Sequence, residues 1–407
     1  MKILLQINET VNIGSTGRIA AQIGDTAIRQ GWNSIIAYGR EFRDCSSSLI
    51  TIGSKKDILW HVFQTRAFDR HGLASVNATH SFINEVEQLK PDIIHLHNIH
   101  GYYLNYEVLF EYLGQIETPI VWTLHDCWPL TGHCSFFEGV GCERWKTGCG
   151  HCPYLKDYPR SLFVDRSGKN FQQKKVAFTL PKNLTIVPVS EWLGELVKQS
   201  FFGKYRVNVI HNGTDLNVFR PTDANLYAKY GIDQEKTIVL GVASVWHERK
   251  GLADFVKLSE DESVQVILVG VTEEMKKRLP QQIIAISRTN SQKELAELYS
   301  GADVFLNPTY DDNFPTTNIE ALACGTPVVT YNTGGSLEAI DEETGIVVEK
   351  GDVEGLISAV ETILKKEKTE LKNACRSRSE KLFSKNDRFQ DYINLYEELL
   401  HEKSSIG

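Results

Sequence analysis

Short, unbroken apolar runs, each closed by a polar or glycine-bearing turn and followed by a helix-spaced stretch, set the rhythm of this chain. KILLQIN, SIIAYG, DIIHLHN, PIVWTLHD, LTIVPVS and VNVIHNG recur through its first half. Strands without apolar/polar alternation are buried on both faces, and with helices between them they predict a parallel sheet covered on both sides. The pattern restarts with TIVLGVAS, VQVILVG, IIAISR, DVFLNPT and TPVVTYN, followed by GIVVEKGD, and the polar stretch 219–236 reads as the boundary region. The expected fold is α/β: two Rossmann-like, doubly wound parallel-sheet domains facing a cleft at the carboxyl ends of their strands. The expected limits are 1–208 and 209–375, with a terminal piece 376–407 packing back towards the first domain. A charged amphipathic helix over 376–402 is predicted there, with Leu382, Phe389, Tyr392, Ile393, Tyr396 and Leu399 spaced for one buried face.

At 407 residues the chain exceeds one ordinary core, and its 42% hydrophobic and 24% charged residues are those of a soluble globular protein. No stretch approaches the roughly 18 apolar residues that cross a bilayer. In MKILLQINE, Gln6, Asn8 and Glu9 interrupt what a signal peptide keeps apolar, so the expected location is the cytoplasm. The net charge of -8 is uneven: residues 1–210 hold 22 Lys+Arg against 19 Asp+Glu, and the remainder 22 against 33. The more basic first half is the candidate for peripheral contact with the inner face of the plasma membrane. No nucleic-acid partner is expected.

The segment DDNFPTTNIEALACGTPVV, residues 311–329, carries the strongest chemical signal. A helix starting at Pro315 places proline at the first helical position, where its missing donor costs nothing. Thr316, Thr317 and Asn318 then aim backbone amides, backed by the helix dipole, at an anion. Glu320 lies about 7–8 Å further along the axis at 1.5 Å per residue, the span from a diphosphate to a ribose. Asp312, before the helix, suits the hydroxyls of a sugar at the other end of the same ligand. Lys250 follows TIVLGVAS at a strand's carboxyl end, where an ammonium can follow charge on a leaving diphosphate. In NIGSTGRIAAQI, Gly14 and Gly17 allow close backbone approach, and Arg18 adds a cation. His125 ends PIVWTLHD, and His95, His97 and His100 end another strand.

Acid, seven residues, acid, then a small-residue helix and CGTPVV resembles the signature of the family 4 retaining glycosyltransferases of GT-B fold. VIHNGTDLNVFRP, RKG, YNTGGSLEAI, GSTGR and TLHD are similar to further family segments in order and spacing, over nearly the whole chain. Within the family the chain looks closest to enzymes of bacterial capsular and exopolysaccharide synthesis, through GSTGRIA, AYGR, HLHNIHGYY and TLHDCWPLTGHC. The resemblance implies a nucleoside-diphosphate sugar as donor, with His125, Lys250, Asp312 and Glu320 catalytic. It also implies donor binding by Gly14, Gly17, Arg18, Arg249, Phe314, Thr316, Thr317 and Glu320. Two positions depart from the pattern: Asp312 stands where glutamate is usual, and Val245 where an arginine commonly precedes the lysine by five residues. His97 is the expected acceptor contact. No catalytic metal is implied, since Lys250 and helix amides stand in its place.

Five of the eight cysteines fall between 127 and 152. Clustering of this kind in a cytosolic protein favours metal over disulfides, and Cys149-Gly-His-Cys152 forms a two-residue knuckle. Cys134, Cys142, Cys149 and Cys152 are the candidate ligands of a structural zinc; free thiols or a disulfide pair are the alternatives. The reading that emerges is a retaining hexosyltransferase acting on a glycan or polyprenyl-diphosphate-linked acceptor in capsule, exopolysaccharide or O-antigen synthesis. The rivals are a nucleotide-sugar epimerase of similar architecture and a non-catalytic sugar-nucleotide-binding protein. A dinucleotide dehydrogenase is disfavoured, because no G-x-G-x-x-G follows the first strand.

Overall fold

The computed structural model describes residues 1–406 and divides into two compact units. The first comprises Met1–His211 together with the chain from Arg388 onward; the second is Asn212–Asp387. Seven strands build the first sheet: β1 Ile3–Asn8, β2 Asn33–Tyr38, β3 Ser48–Thr51, β4 Ile93–Leu96, β5 Ile120–Leu124, β6 Leu184–Pro188 and β7 Arg206–Val207. All pairings are parallel, in the order β3-β2-β1-β4-β5-β6-β7. β4, β5 and β6 are buried at every position, as unbroken apolar runs require. The pattern missed β3, an edge strand whose SLIT carries neither an apolar run nor a buried face.

The second sheet contains β8 Thr237–Val242, β9 Val264–Val269, β10 Ile284–Ile286, β11 Val304–Asn307, β12 Val328–Tyr331 and β13 Gly345–Val348. Its order, again parallel throughout, is β10-β9-β8-β11-β12-β13. In both sheets the order reverses once, between β1 and β4 and between β8 and β11. Loops leaving the two central strands diverge at such a switch point, and in doubly wound sheets ligands bind there, outside the strands' carboxyl ends. The GSTGR loop follows β1 and His97 follows β4; Lys250 follows β8 and Asp312 follows β11.

The single helix expected over 376–402 is two helices, Lys368–Leu382 and Lys385–Ile406. Phe383 and Ser384 leave helical geometry because the Thr214 amide donates to the Phe383 carbonyl (2.8 Å) and the Lys385 amide to the Thr214 carbonyl (3.0 Å). Local amphipathicity continues through this break, so only the tertiary pairing reveals it. Phe389, Tyr392, Ile393, Tyr396 and Leu399 then join Leu4, Ile23, Trp32 and Val121 in one apolar cluster of the first unit.

Candidate functional site

In the second unit the site grows from two loops. After β8 the chain makes a short 3-10 turn, Glu248–Lys250, ended by Gly251 at φ 69°. A Cβ on Gly251 would lie 2.2 Å from the Pro308 carbonyl oxygen, so the missing side chain lets this turn press against the loop leaving β11. The Tyr310 amide donates to the Arg249 carbonyl (2.8 Å), and the Arg249 guanidinium donates to the Asp311 carbonyl. Lys250 Nζ then meets Asp312 Oδ2 at 2.5 Å. Burial alone would raise the Asp312 carboxyl, but Lys250 and Arg249 outweigh it and hold the group below its ordinary value.

The following helix is Thr316–Ala323, with Pro315 as its cap (ψ 118°) rather than its first helical residue, one position later than expected. Thr316 and Thr317 open it half-buried, at the positions whose amides a helix leaves without an acceptor; the Asn318 amide, expected to face the anion as well, instead donates to the Pro315 carbonyl (3.2 Å). Asn318, fully buried, accepts from Asn307 Nδ2 (2.8 Å) and donates to the Ser336 carbonyl (3.1 Å), tying the helix to β11 and to the glycine-pair turn. The side-chain hydroxyls of Thr333 and Ser336 in that turn are buried without a hydrogen-bond partner in the protein, the condition of groups suited to a polar ligand. Glu320, half-buried, accepts from the Tyr299 hydroxyl at 3.2 Å.

Phe314 departs from expectation. Its ring is 4% exposed and lies 5.8 Å from that of Phe383, so the side chain belongs to the core rather than to a ligand surface. The NGTD loop likewise does structural work here, with Asn212 donating to the Phe314 carbonyl (3.4 Å) and Asp215 paired with Lys385 (2.6 Å).

In the first unit Gly14, at φ 68°, opens the helix Gly14–Arg29. Gly17 is packed so closely that a Cβ would meet Thr10 Oγ1 at 2.8 Å, and its carbonyl accepts from the Asn12 amide (2.9 Å). Arg18 is exposed, with Nε donating to the Gly14 carbonyl at 2.8 Å.

His125 follows β5 and His97 follows β4, and their rings stack at 18° with Nδ1 of His97 3.1 Å from Nε2 of His125. Nε2 of His97 lies 3.0 Å from Gln6 Oε1, while Gln6 Nε2 donates to the Ala20 carbonyl (2.9 Å). The Ala20 carbonyl can only accept, so it fixes the Gln6 amide with its oxygen towards His97. His97 must then carry its proton on Nε2 and accept through Nδ1, which puts the His125 proton on Nε2. Burial pushes His125 down to about 4, with Asp126 offsetting part of the shift, and holds His97 well below its ordinary value. His97 is 1% exposed with both ring nitrogens engaged, so the structure sets it behind His125 rather than at an acceptor surface. His95 is buried between Thr123 (2.8 Å) and Tyr396 (2.6 Å). His100 pairs with Asp126 (2.9 Å), whose other oxygen accepts from the Trp128 amide (2.9 Å). Gln6 and Asp126 join the site only in the structure; the one sequence signal for either is a glutamine inside the apolar run KILLQIN.

Cys134, Cys142, Cys149 and Cys152 line one small cavity together with His133 and Trp145. Cys134 and Cys152 are hydrogen-bonded, Cys149 accepts from the Gly132 amide (3.2 Å) and Cys152 from the Tyr154 amide. Among the described residues, however, no three or more His, Cys, Asp or Glu side chains are arranged to hold a metal ion, so the expected tetrahedral set is not preformed. The described cysteines are free thiols.

Two doubly wound parallel sheets, with paired charge at the switch point of one and stacked histidines at that of the other, have the architecture of the GT-B fold. Residues 18–218 match the family described as Glycosyltransferase Family 4, and residues 223–382 that described as Glycosyl transferases group 1. Together the two matches span most of the chain, which is a glycosyltransferase. It is similar, at 23% identity over 97% of its own length and all of the relative's, to the putative colanic acid biosynthesis glycosyl transferase WcaC of Escherichia coli K12. Its fold is that of sucrose-phosphate synthase from Thermosynechococcus elongatus (TM-score 0.74, 19% identity, covering 99% of this chain and all of that one). Anabaena HepE, solved in complex with UDP and glucose, is also similar (TM-score 0.67, 15% identity, covering 97% and 99%).

Proposed function

We propose that this chain is a retaining hexosyltransferase that takes a sugar from a nucleoside diphosphate and passes it to a glycan or polyprenyl-diphosphate-linked acceptor in polysaccharide synthesis. The Lys250–Asp312 pair, held beside the Thr316–Ala323 helix at a switch point, carries this reading. Lys250 and the amides of Thr316 and Thr317 receive the charge that grows on the departing diphosphate, the work a divalent ion does in other transferases. Glu320 accepts from the ribose hydroxyls, Asp312 from the sugar, and Arg249 lends positive charge. His125 supports the oxocarbenium-like sugar, with Gly14, Gly17 and Arg18 beside the donor. His97 and Gln6 are positioning residues for His125.

No carboxylate is placed as a nucleophile in this reading, so retention follows from attack on the leaving-group face. The acceptor oxygen bonds to the anomeric carbon as the bond to the diphosphate oxygen breaks, and the acceptor proton passes to that oxygen. The names of WcaC and of the HepE complexes, with UDP and with UDP-glucose, support a polysaccharide product and a uridine donor. Incubation with a panel of nucleotide sugars tests the whole: slow hydrolysis releasing sugar of the donor's anomeric form is expected, with no loss in a chelator. Inverted sugar would end the retaining mechanism, and an interconverted sugar nucleotide would favour an epimerase.

The cysteine loop has a structural role in this reading. The Cys134 thiol, with help from the Tyr154 amide, brings Cys152 down to about 7, whereas burial outweighs the Gly132 amide and pushes Cys149 up to about 11; zinc would have to displace the protons of Cys149, Cys134 and Cys142 to draw them into a closed set. Stoichiometric zinc in the purified chain supports this; zinc-free protein of unchanged stability retires it.

A further inference from the structure

The helix Lys55–Phe68 of the first unit is turned inside out. Its fully buried side chains are polar: His61 accepts from the Gly72 amide (2.9 Å) and pairs with Ser75 (2.9 Å), and Thr65 donates to the His61 carbonyl (2.9 Å). Its outer face is apolar, with Leu59 69%, Trp60 56% and Phe63 51% exposed. Trp60 and Phe63 stack at 5.4 Å, and Phe63 meets Phe68 edge-on at 5.9 Å, so these rings satisfy one another on the surface without entering the core. A second exposed apolar segment adjoins them. The Leu162 amide donates to the Arg66 carbonyl (2.8 Å), which sets Leu162 and the 80% exposed Phe163 at the helix's carboxyl end.

The charge on the helix itself is one-sided, the exposed Asp165 beside the second segment being held by Ser167 (2.5 Å) and the Cys152 amide (2.8 Å). Lys55, Lys56 and Arg66 are exposed, whereas the helix's single carboxylate, Asp57, is engaged by Ser54 in the cap (2.6 Å). Such a cationic rim stands out in a chain of net charge -8. Aromatic and aliphatic side chains beside lysine and arginine, on a helix lying flat at the surface, are what an anionic membrane interface takes up. Among the described residues no helix is long and apolar enough to cross a membrane, so contact of this kind is peripheral.

We propose that this face docks the first unit on an anionic phospholipid bilayer, with Trp60, Phe63 and Phe163 entering the headgroup boundary and Lys55, Lys56 and Arg66 meeting lipid phosphates. The docking deepens the reading of a lipid-linked acceptor but is measured without one. The full chain is floated with vesicles of phosphatidylcholine alone and of phosphatidylcholine with phosphatidylglycerol, for wild type, W60S/F63S and K55E/K56E. Acceptor-free donor hydrolysis is followed in parallel, and none of the substituted residues belongs to the proposed donor site. Binding to the anionic vesicles alone is expected, weakened by salt and by at least about tenfold in each variant, with donor hydrolysis unchanged. Equal binding to neutral vesicles, variants that float as wild type does, or no flotation of an active enzyme would each overturn the docking. So would a self-association of the wild type that the variants abolish, which would assign the face to a second copy of this chain. Loss of donor hydrolysis in the wild type itself counts against the transferase reading instead.

Discussion

Nδ1 of His97 and Nε2 of His125 stand 3.1 Å apart in stacked rings, and Gln6 holds the far nitrogen of His97 at 3.0 Å. The catalytic candidate thus has its tautomer set by a residue two side chains away. Replacing Gln6 by leucine removes the acceptor for His97 Nε2 and frees both rings to flip. The expected result is a kcat lower by about tenfold to a hundredfold with KM within about twofold, read from steady-state rates. ¹⁵N shifts of His125 showing a mixed tautomer would separate this from a general loss of packing; an unaltered tautomer would remove the relay.

The depressed value of His125 gives a pH signature. A base whose folded value lies near 4, against an ordinary 6.5, is protonated first in the unfolded chain. Its contribution to stability is therefore complete above pH 6.5 and declines as the pH falls towards 4. His125→Asn should lessen the fall of the thermal midpoint between those limits, the rest of it coming from His61, His71, His95 and His97, which burial also holds low. Wild-type kcat/KM should show no step near 6.5 arising from this ring.

Lys250→Ala leaves Asp312 without its main partner. Loss of charge stabilisation at the diphosphate is expected to lower kcat by about 10²–10³. Because the Asp312 carboxyl is depressed, its pairing stabilises the fold above the ordinary value of 3.8 and is lost as the pH falls through the lower folded-state value. Acid unfolding of Lys250→Ala should therefore begin at higher pH than that of the wild type. Coincident acid transitions would show that the pair adds nothing to stability.

Glu320→Ala should raise the donor dissociation constant by more than about tenfold, roughly 1.4 kcal/mol, when measured by calorimetry. A ribose-specific role also requires that the free base and inorganic diphosphate bind the variant as before. Unchanged donor affinity would withdraw the ribose assignment.

Gly251→Ala tests the stitch between the two loops. The residue sits at φ 69° and its new Cβ would press on the Pro308 carbonyl, so a loss of about 1–3 kcal/mol is expected by chemical denaturation. The loss should be accompanied by weaker donor binding, since Lys250 precedes the turn directly.

Two parallel-sheet units were legible in the chain because buried parallel strands are written as unbroken apolar runs, and those runs also gave the strand ends after which Lys250, Asp312, His97 and His125 follow. The DDNFPTT segment announced its helix and its amides through local chemistry alone. The sequence could not show what depends on contacts between distant segments. Ser48–Thr51 becomes a strand only because β2 offers it an edge. Phe314 reads as a ligand residue until Phe383 claims its ring, and His97 reads as an acceptor contact until Gln6 and His125 occupy both its nitrogens. Hydrophobic periodicity encodes which face a strand or helix buries, whereas a polar side chain's partner is chosen in three dimensions, by whichever donor or acceptor the fold brings within about 3 Å.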